Sequence, residues 1–244
     1  MASGLVSTFR GYSPGKCSRA RSAPARPGPP SLGGITTITG AEILARARAA
    51  PPRAGAVRLV GIDGFSGAGK TTLAMALRRA DPTVTVLSLE TFYLGWAGLA
   101  AGPGRAAHQV VAPLARGEVP VVEPWDWRHD RVAPPRRRPV GPLVVVEGCG
   151  AGVPPLRGAL SLLVWVDAEP AERECRLHAR DDWAVYAPHR AAFERQEQAL
   201  AATHGTRAAA DVVVTRAADG SWSSAGAEDD EWVRSGRDGD EGPA

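Results

Sequence analysis

One of the two lysines in this chain ends a glycine-rich run. The 244 residues contain only Lys16 and Lys70, and Lys70 belongs to the run Gly64, Phe65, Ser66, Gly67, Ala68, Gly69, Lys70, Thr71. This G-x-x-x-x-G-K-[ST] spacing is typical of a loop that binds the phosphates of a nucleoside triphosphate, because glycines let successive backbone N–H groups converge on phosphate oxygens. The pattern predicts that Lys70 contacts the β- and γ-phosphates and that the Thr71 hydroxyl binds Mg²⁺. Thr72 is a further candidate contact.

Apolar runs alternate with helical patterns between the two ends of the chain. Strands are predicted at 57–62, 84–89, 143–146, 160–166 and 211–215, and helices at 69–80, 104–116, 171–180 and 188–203. This alternation predicts an α/β protein whose mostly parallel central sheet is covered by helices on both faces. In such sheets, ligands bind beyond the carboxyl ends of the strands.

Acidic side chains follow three of the predicted strands. Asp63 follows the first strand, Glu90 the second and Glu147 the third. Phosphoryl transfer to an alcohol requires a metal ion that neutralises the phosphates and a carboxylate that orients the attacking hydroxyl and accepts its proton. Glu90 and Glu147 can divide these two roles; a solvated loop carboxylate is the alternative for each acid taken alone.

Three segments together resemble the phosphoribulokinase/uridine kinase family of P-loop kinases. They are the glycine-rich loop at 64–71, the segment 87–93 (Leu-Ser-Leu-Glu-Thr-Phe-Tyr) and the segment 145–148 (Val-Val-Glu-Gly), and the resemblance spans about residues 57–215. It implies a three-layer α/β/α P-loop NTPase fold, the use of ATP and Mg²⁺, and a small-molecule phosphoryl acceptor. It also implies that Glu90 is the catalytic base, in place of the family's aspartate, that Tyr93 faces the acceptor and that Glu147 supports Mg²⁺ through water.

The segment around two tryptophans is similar to the stretch that borders the nucleoside in uridine kinases. Trp125, Asp126 and His129 would contact the acceptor there. The segment differs from the family pattern, because both aromatics are tryptophan and His129 is one residue closer than the family spacing. Two tryptophans that pack a surface hairpin are the alternative interpretation.

Three arginines recur at three- and four-residue spacing and therefore share one helical face. They are Arg173, Arg176 and Arg180, and the resemblance implies a lid over about residues 173–188. In that lid Arg176 would contact the nucleotide, Arg180 would stabilise the charge on the migrating phosphoryl group, and Tyr186 would lie near the acceptor. An exposed arginine face paired with neighbouring glutamates is the alternative.

Composition divides the chain into three parts. Residues 1–34 are rich in Pro, Arg and Ser, which predicts a disordered leader, either a targeting segment or the product of a mis-assigned start. Residues 35–216 are expected to form the kinase domain. Residues 217–244 carry eight acidic and two basic side chains, which predicts a disordered tail. The absence of asparagine and the scarcity of Ile, Met, Phe and Tyr indicate a GC-rich genome, and the actinobacterial type of the family is expected.

Charge and hydropathy argue against two kinds of partner. The net charge of +3 is too small to indicate nucleic-acid binding, and no apolar run approaches the ~20 residues that a membrane span requires. Without the apolar core of a secretory signal, a cytoplasmic location is expected. Oligomeric state is not indicated.

These features together predict an ATP-dependent small-molecule kinase with a nucleoside-like acceptor. A nucleoside-monophosphate kinase of the cytidylate kinase type is one alternative, suggested by the lead-in 62–64 (Ile-Asp-Gly), with the arginines at 136–138 as a candidate site for the acceptor phosphate. A regulatory ATP-binding module without catalysis is the other. A GTPase is disfavoured, because a chain without asparagine cannot contain an N-K-x-D motif.

Overall fold

The computed structural model describes residues 35–216 and 220–225, which contain eleven strands. They are β1 (Ile35–Thr37), β2 (Arg58–Asp63), β3 (Thr85–Ser88), β4 (Val121–Val122), β5 (Trp125–Asp126), β6 (Arg131–Val132), β7 (Arg136–Arg137), β8 (Leu143–Glu147), β9 (Leu160–Asp167), β10 (Val212–Arg216) and β11 (Trp222–Ala225).

Seven of these strands form one sheet in the order β1-β11-β10-β9-β2-β8-β3. The five strands from β10 to β3 are parallel, and β11 is antiparallel to both β10 and β1. Two short antiparallel pairs, β4 with β7 and β5 with β6, lie outside the main sheet. The five parallel strands are the five that the sequence predicts.

The described residues contain seven α-helices. They are α1 (Gly40–Ala49), α2 (Lys70–Ala80), α3 (Gly102–Ala106), α4 (Ala112–Ala115), α5 (Pro170–His178), α6 (Trp183–Tyr186) and α7 (Arg190–His204). A π-helical turn at Ala107–Val111 joins α3 to α4, and 3₁₀ turns lie at Leu89–Thr91, Arg157–Ala159 and Ala187–His189. The predicted helix over 104–116 is therefore a composite of three segments. No helix in the described part of the chain is long and apolar enough to cross a bilayer.

Helices cover both faces of the sheet. Successive residues of β8 point to opposite faces, so that Val145 packs in one core with Leu73 and Leu77 of α2, whereas Val144 packs in the other core with Phe193 of α7. Both cores are fully buried, as the Val- and Leu-rich strands predict for a sheet covered on two sides. The three-layer α/β/α fold is confirmed.

The described part of the predicted tail contradicts the expectation of disorder from residue 217 onward. Strand β11 lies between β10 and β1, and the Trp222 ring is buried in the core beside α2. The free energy gained by burying one large aromatic ring offsets the conformational entropy lost when a short strand becomes ordered. The run of acidic residues begins only after β11. The expected leader 1–34 and the rest of the tail lie outside the described residues.

Candidate phosphate-binding and phosphoryl-transfer site

The register of three neighbouring strands brings the candidate residues to one edge of the sheet. Glu147, the last residue of β8, lies opposite Ile62 of β2 and opposite Ser88 of β3. The phosphate-binding loop (P-loop, residues 64–71) starts immediately after β2, and Glu90 comes two residues after Ser88. The loop, Glu147 and Glu90 therefore meet beyond the carboxyl ends of adjacent parallel strands, as predicted.

The backbone of the P-loop depends on glycine at two positions in particular. Gly67 has φ +81°, and a Cβ placed on it would lie 2.6 Å from the carbonyl oxygen of Arg173. Gly69 caps helix α2 with φ +112°, a left-handed conformation that glycine adopts without strain. Helix α2 thus begins at Lys70, and its positive N-terminal end points into the loop, where anions bind.

Lys70 lies against the P-loop and is buried. Its Nζ donates hydrogen bonds to the carbonyl oxygens of Gly64 (2.7 Å) and Phe65 (3.0 Å), and it lies 3.3 Å from Cys149 Sγ. Burial lowers the pKa of Lys70, but the opposing attraction of Cys149 and the nearby carboxylates, Glu197 first among them, raises it to about 12. The ammonium group is therefore charged throughout the physiological pH range.

The oxygen atoms of two side chains fit a Mg²⁺ ion beside the loop. Thr71 Oγ1 donates a hydrogen bond to Glu147 Oε2 at 3.1 Å, and Glu147 is buried. Among the described residues no group of three or more His, Cys, Asp or Glu side chains could enclose a metal. Mg²⁺ bound with nucleotides commonly uses only one or two protein oxygens and takes its other ligands from water and phosphates, so the pair is a suitable donor set. Thr72 lies half-buried in the same helical turn.

Asp63 is a structural anchor between two loops. Its buried carboxylate accepts hydrogen bonds from the backbone N–H groups of Gly64 (2.7 Å), Gly150 (2.9 Å) and Gly152 (2.8 Å). All its partners are backbone donors of the P-loop and of the segment after β8. The carboxylate therefore fixes the P-loop relative to Glu147.

Glu90 lies in the 3₁₀ turn after β3 and is solvent-accessible. The surrounding protein and the like charge of Glu147 raise the pKa of Glu90, whereas the positive charges of Arg180 and Lys70 act in the opposite direction. A carboxylate with a raised pKa is a better proton acceptor near neutral pH. The backbone carbonyl of Glu90 accepts a hydrogen bond from Trp127 Nε1 at 3.1 Å.

The hairpin β5–β6 carries the predicted acceptor residues on an internally bonded turn. Asp126 Oδ2 lies 2.7 Å from His129 Nδ1, and its Oδ1 accepts the His129 backbone N–H at 3.2 Å. These bonds with His129 hold the pKa of Asp126 below its usual range. Trp125 is half-buried, whereas Trp127 is exposed and its ring centroid lies 4.8 Å from that of Trp96. The hairpin therefore packs on the segment that follows Glu90.

Tyr93 belongs to the core in this structure. Its ring is buried and packs near Phe193, and its hydroxyl donates a 2.8 Å hydrogen bond to the carbonyl oxygen of Cys149. Burial raises the pKa of Tyr93, so that the hydroxyl remains protonated. This placement does not support the expected direct contact between Tyr93 and an acceptor.

Two of the three predicted lid arginines hold the outer side of the P-loop. Arg173 is buried, donates to the Ser66 carbonyl at 3.3 Å and lies 5.2 Å from the centre of the Phe65 ring. Arg176 donates to the Ala68 carbonyl at 3.1 Å and pairs with Glu172. Both guanidinium groups thus contact loop carbonyls and also pair with glutamate side chains, Arg173 with Glu194 and Glu197 and Arg176 with Glu172.

Arg180 lies on the side of Glu90. Its guanidinium forms two 2.7 Å hydrogen bonds with the carboxylate of Asp182 and lies 5.6 Å from the ring centre of Tyr186. Arg180 therefore contacts Tyr186 and lies close enough to Glu90 for their charges to interact, and all three residues are predicted from the sequence as parts of one site. The bidentate pair with Asp182 orients the guanidinium.

Three residues near the site have no counterpart among the predicted ones. Glu197 of α7 accepts from the P-loop at Ser66, Cys149 lies between Lys70 and Glu197, and Trp96 stacks on His189 with ring centroids 4.5 Å apart. Trp96 had a possible signal, since it is a large aromatic residue in a glycine-rich segment. A glutamate within a charged helix gives no such signal.

A parallel sheet with a phosphate-binding loop between its central strand and the following helix defines the P-loop NTPase class. Among solved structures, a possible uridine kinase from Bacillus stearothermophilus is similar at TM-score 0.52 and 19% identity, over 71% of this chain and 96% of that chain. A putative fructose transport system kinase from Silicibacter sp. TM1040 is similar at TM-score 0.43 and 21% identity, over 67% and 86% of the two chains. No family model and no curated protein matches the sequence. The first likeness shows that the chain has the fold of the P-loop kinases.

Proposed function

We propose that the protein is an ATP-dependent kinase that transfers the γ-phosphoryl group to a hydroxyl of a nucleoside-like small molecule. The observation that carries this proposal is the arrangement at the sheet edge, where Glu147 lies opposite Ile62 and Ser88 and so is beside both the P-loop and the turn that contains Glu90. A carboxylate of raised pKa beside a phosphate-binding loop is what proton removal from an attacking alcohol requires.

Each group has a distinct task in the proposed reaction. The P-loop N–H groups and Lys70 would hold the β- and γ-phosphates, and Thr71 and Glu147 would hold Mg²⁺, which neutralises phosphate charge when bound. The Glu90 carboxylate would accept the proton of the acceptor hydroxyl as the new O–P bond forms and the bond to the ADP oxygen breaks. Arg180 would stabilise the charge on the group in transfer.

The aromatic side chains beside Glu90 support a nucleoside-like acceptor. The rings of Trp127 and Trp96 lie against each other, and Trp127 Nε1 donates a hydrogen bond to the backbone carbonyl of Glu90. A planar ring can stack on such a surface while Asp126 or His129 bonds its polar groups, because binding sites combine apolar walls with a few oriented polar atoms. A hydroxyl on the same molecule would then reach Glu90.

A coupled assay for ADP tests the proposal. The full-length protein with Mg-ATP is supplied in turn with nucleosides, nucleoside monophosphates, pantothenate and sugar alcohols, and phosphorylated products are identified by mass spectrometry. We expect ADP release equal to the amount of phosphorylated nucleoside-like product. Acceptor-independent hydrolysis, or none, would instead indicate a regulatory nucleotide-binding module, and turnover of monophosphates alone would indicate a nucleoside-monophosphate kinase.

Two variants separate binding from chemistry in the same assay. Lys70→Ala should abolish turnover, and Glu90→Gln should lower kcat while the affinity for Mg-ATP measured by calorimetry stays unchanged. Glu118→Gln is the control, since Glu118 is exposed and pairs with Arg116 on the surface. Full activity of Glu90→Gln would rule out Glu90 as the base.

A further inference from the structure

A buried carboxylate behind the P-loop is not used by the proposed reaction. Glu197, on helix α7, is 3% exposed, and its Oε2 accepts hydrogen bonds from the Ser66 backbone N–H at 2.9 Å and from Ser66 Oγ at 2.8 Å. The Cys149 thiol adds a third donor to the same oxygen at 3.2 Å. Burial of a carboxylate is costly unless it is hydrogen-bonded, and three donors on one oxygen meet this requirement.

The second oxygen of Glu197 faces a different environment. Oε1 lies 3.7 Å from the Arg173 guanidinium and has no hydrogen-bond partner among the described residues. Glu197 also lines a small cavity together with Thr206, whose Oγ1 has no hydrogen-bond partner in the described part of the chain.

The position of Ser66 explains why this anchor matters. Ser66 lies between Gly64 and Gly67, and the loop residues that follow it supply the N–H groups expected to converge on phosphate. A glycine-rich segment samples many conformations when nothing holds it. Glu197, on a separate helix, accepts hydrogen bonds from both the backbone and the hydroxyl of Ser66 and so restricts the loop conformation before a ligand binds. This restriction lowers the entropic cost of binding.

We propose that Glu197 is a positioning residue of the phosphate-binding loop, which it holds in its anion-binding shape through Ser66. This inference rests on the proposed function, because it concerns the affinity of the same loop for Mg-ATP. It makes Glu197 a determinant of nucleotide affinity that contacts neither the nucleotide nor the acceptor.

A competing explanation assigns Glu197 a purely electrostatic role as counter-charge to Lys70. Two substitutions distinguish the explanations. Glu197→Gln keeps the reach of the side chain and an oxygen that accepts from Ser66, while its amide nitrogen can point to the cavity and Thr206. Glu197→Asp keeps the charge but is one methylene shorter, so that the carboxylate no longer reaches Ser66.

Calorimetric titration of the full chain with Mg-ATP measures the effect. We expect the Kd of Glu197→Gln to stay within about threefold of wild type, and that of Glu197→Asp to rise at least about tenfold, the equivalent of about 1.4 kcal/mol. Glu194→Gln is the matched control, because Glu194 lies one turn earlier on α7 and also pairs with Arg173 at 3.7 Å, while its hydrogen bond within the described residues is with Arg190 and not with the P-loop. Thermal unfolding without nucleotide is recorded for each variant.

The outcomes are distinct. Wild-type affinity in Glu197→Asp, even with a lowered Tm, would overturn the inference. A Glu197→Gln variant as weak as Glu197→Asp would also overturn it, since a side chain that reaches Ser66 would then not be sufficient. If Glu197→Asp does not fold, Ser66→Ala removes the hydroxyl arm alone, and an unchanged Kd there would equally overturn it. Failure of the wild type to bind Mg-ATP would remove the proposed function together with this inference.

Discussion

Removal of the Asp63 carboxylate should destabilise the protein strongly, although Asp63 performs no chemistry in the proposed reaction. The three backbone N–H groups that it satisfies belong to Gly64, Gly150 and Gly152, at 2.7–2.9 Å. All three donors lie in the buried junction between the P-loop and the segment after β8. In Asp63→Ala they lose their acceptor together.

The structure allows the size of the effect to be worked out. A buried donor left without a partner costs about 1–3 kcal/mol, and entry of water into the vacated space limits the sum, so we expect Asp63→Ala to lower the free energy of unfolding by about 3–5 kcal/mol. Asp63→Asn should cost less, about 1–3 kcal/mol, because its oxygen can still accept from Gly64 and Gly150 while its NH₂ group opposes the Gly152 N–H.

Urea unfolding followed by fluorescence and circular dichroism measures these differences, and coincident transitions would support a two-state treatment. Asp211→Asn is the control, since Asp211 is exposed and accepts the backbone N–H of Leu163 at 2.7 Å, which an asparagine oxygen can also accept. It should change stability by less than about 0.5 kcal/mol. If Asp63→Ala unfolded within that same range, the anchoring role derived from the three hydrogen bonds would be wrong.

Three further results are expected at the site. Arg180→Met removes a positive charge that lowers the pKa of Glu90, so the acid limb of the kcat/KM profile, where Glu90 becomes protonated, should move to higher pH than in wild type. Gly67→Ala should weaken Mg-ATP binding at least about tenfold in calorimetry, because its Cβ would lie 2.6 Å from a backbone oxygen at φ +81°, whereas Gly104→Ala, with nothing within 4 Å, should bind normally. Trp127→Ala should raise the KM for a nucleoside acceptor and leave the KM for ATP unchanged; equal effects on both would argue against stacking.

The part of the site that could be predicted from the sequence is the part encoded by local pattern. The P-loop combines fixed spacing with a strand before it and a helix after it, and Glu147 and Glu90 follow apolar runs that parallel strands bring to one edge. The same logic predicted the five parallel strands. These features depend on neighbours within a few residues and on one general rule of sheet architecture.

The parts that could not be predicted depend on contacts between distant segments. Glu197 reaches Ser66 across 131 positions of the chain, and nothing in its own helix distinguishes it from Glu194. Strand β11 was missed because the acidic composition of residues 217–244 predicted disorder, and a segment of four residues around Trp222 is too short to show a clear strand pattern. Trp96 was missed because stacking on His189 requires α7 to be placed first.

The arginines at 173, 176 and 180 follow one periodic pattern but lie in two different environments. Arg173 and Arg176 lie within α5, beside the P-loop, and their guanidinium groups contact the carbonyls of Ser66 and Ala68. Helix α5 ends at His178, so Arg180 leaves the helical face and instead pairs with Asp182 near Glu90. Helical spacing therefore predicts correctly that the three arginines are neighbours. Because the helix ends before Arg180, this residue has different contacts from Arg173 and Arg176. Substitution of Arg176 should consequently affect nucleotide binding through the shape of the loop, whereas substitution of Arg180 should affect the transfer step.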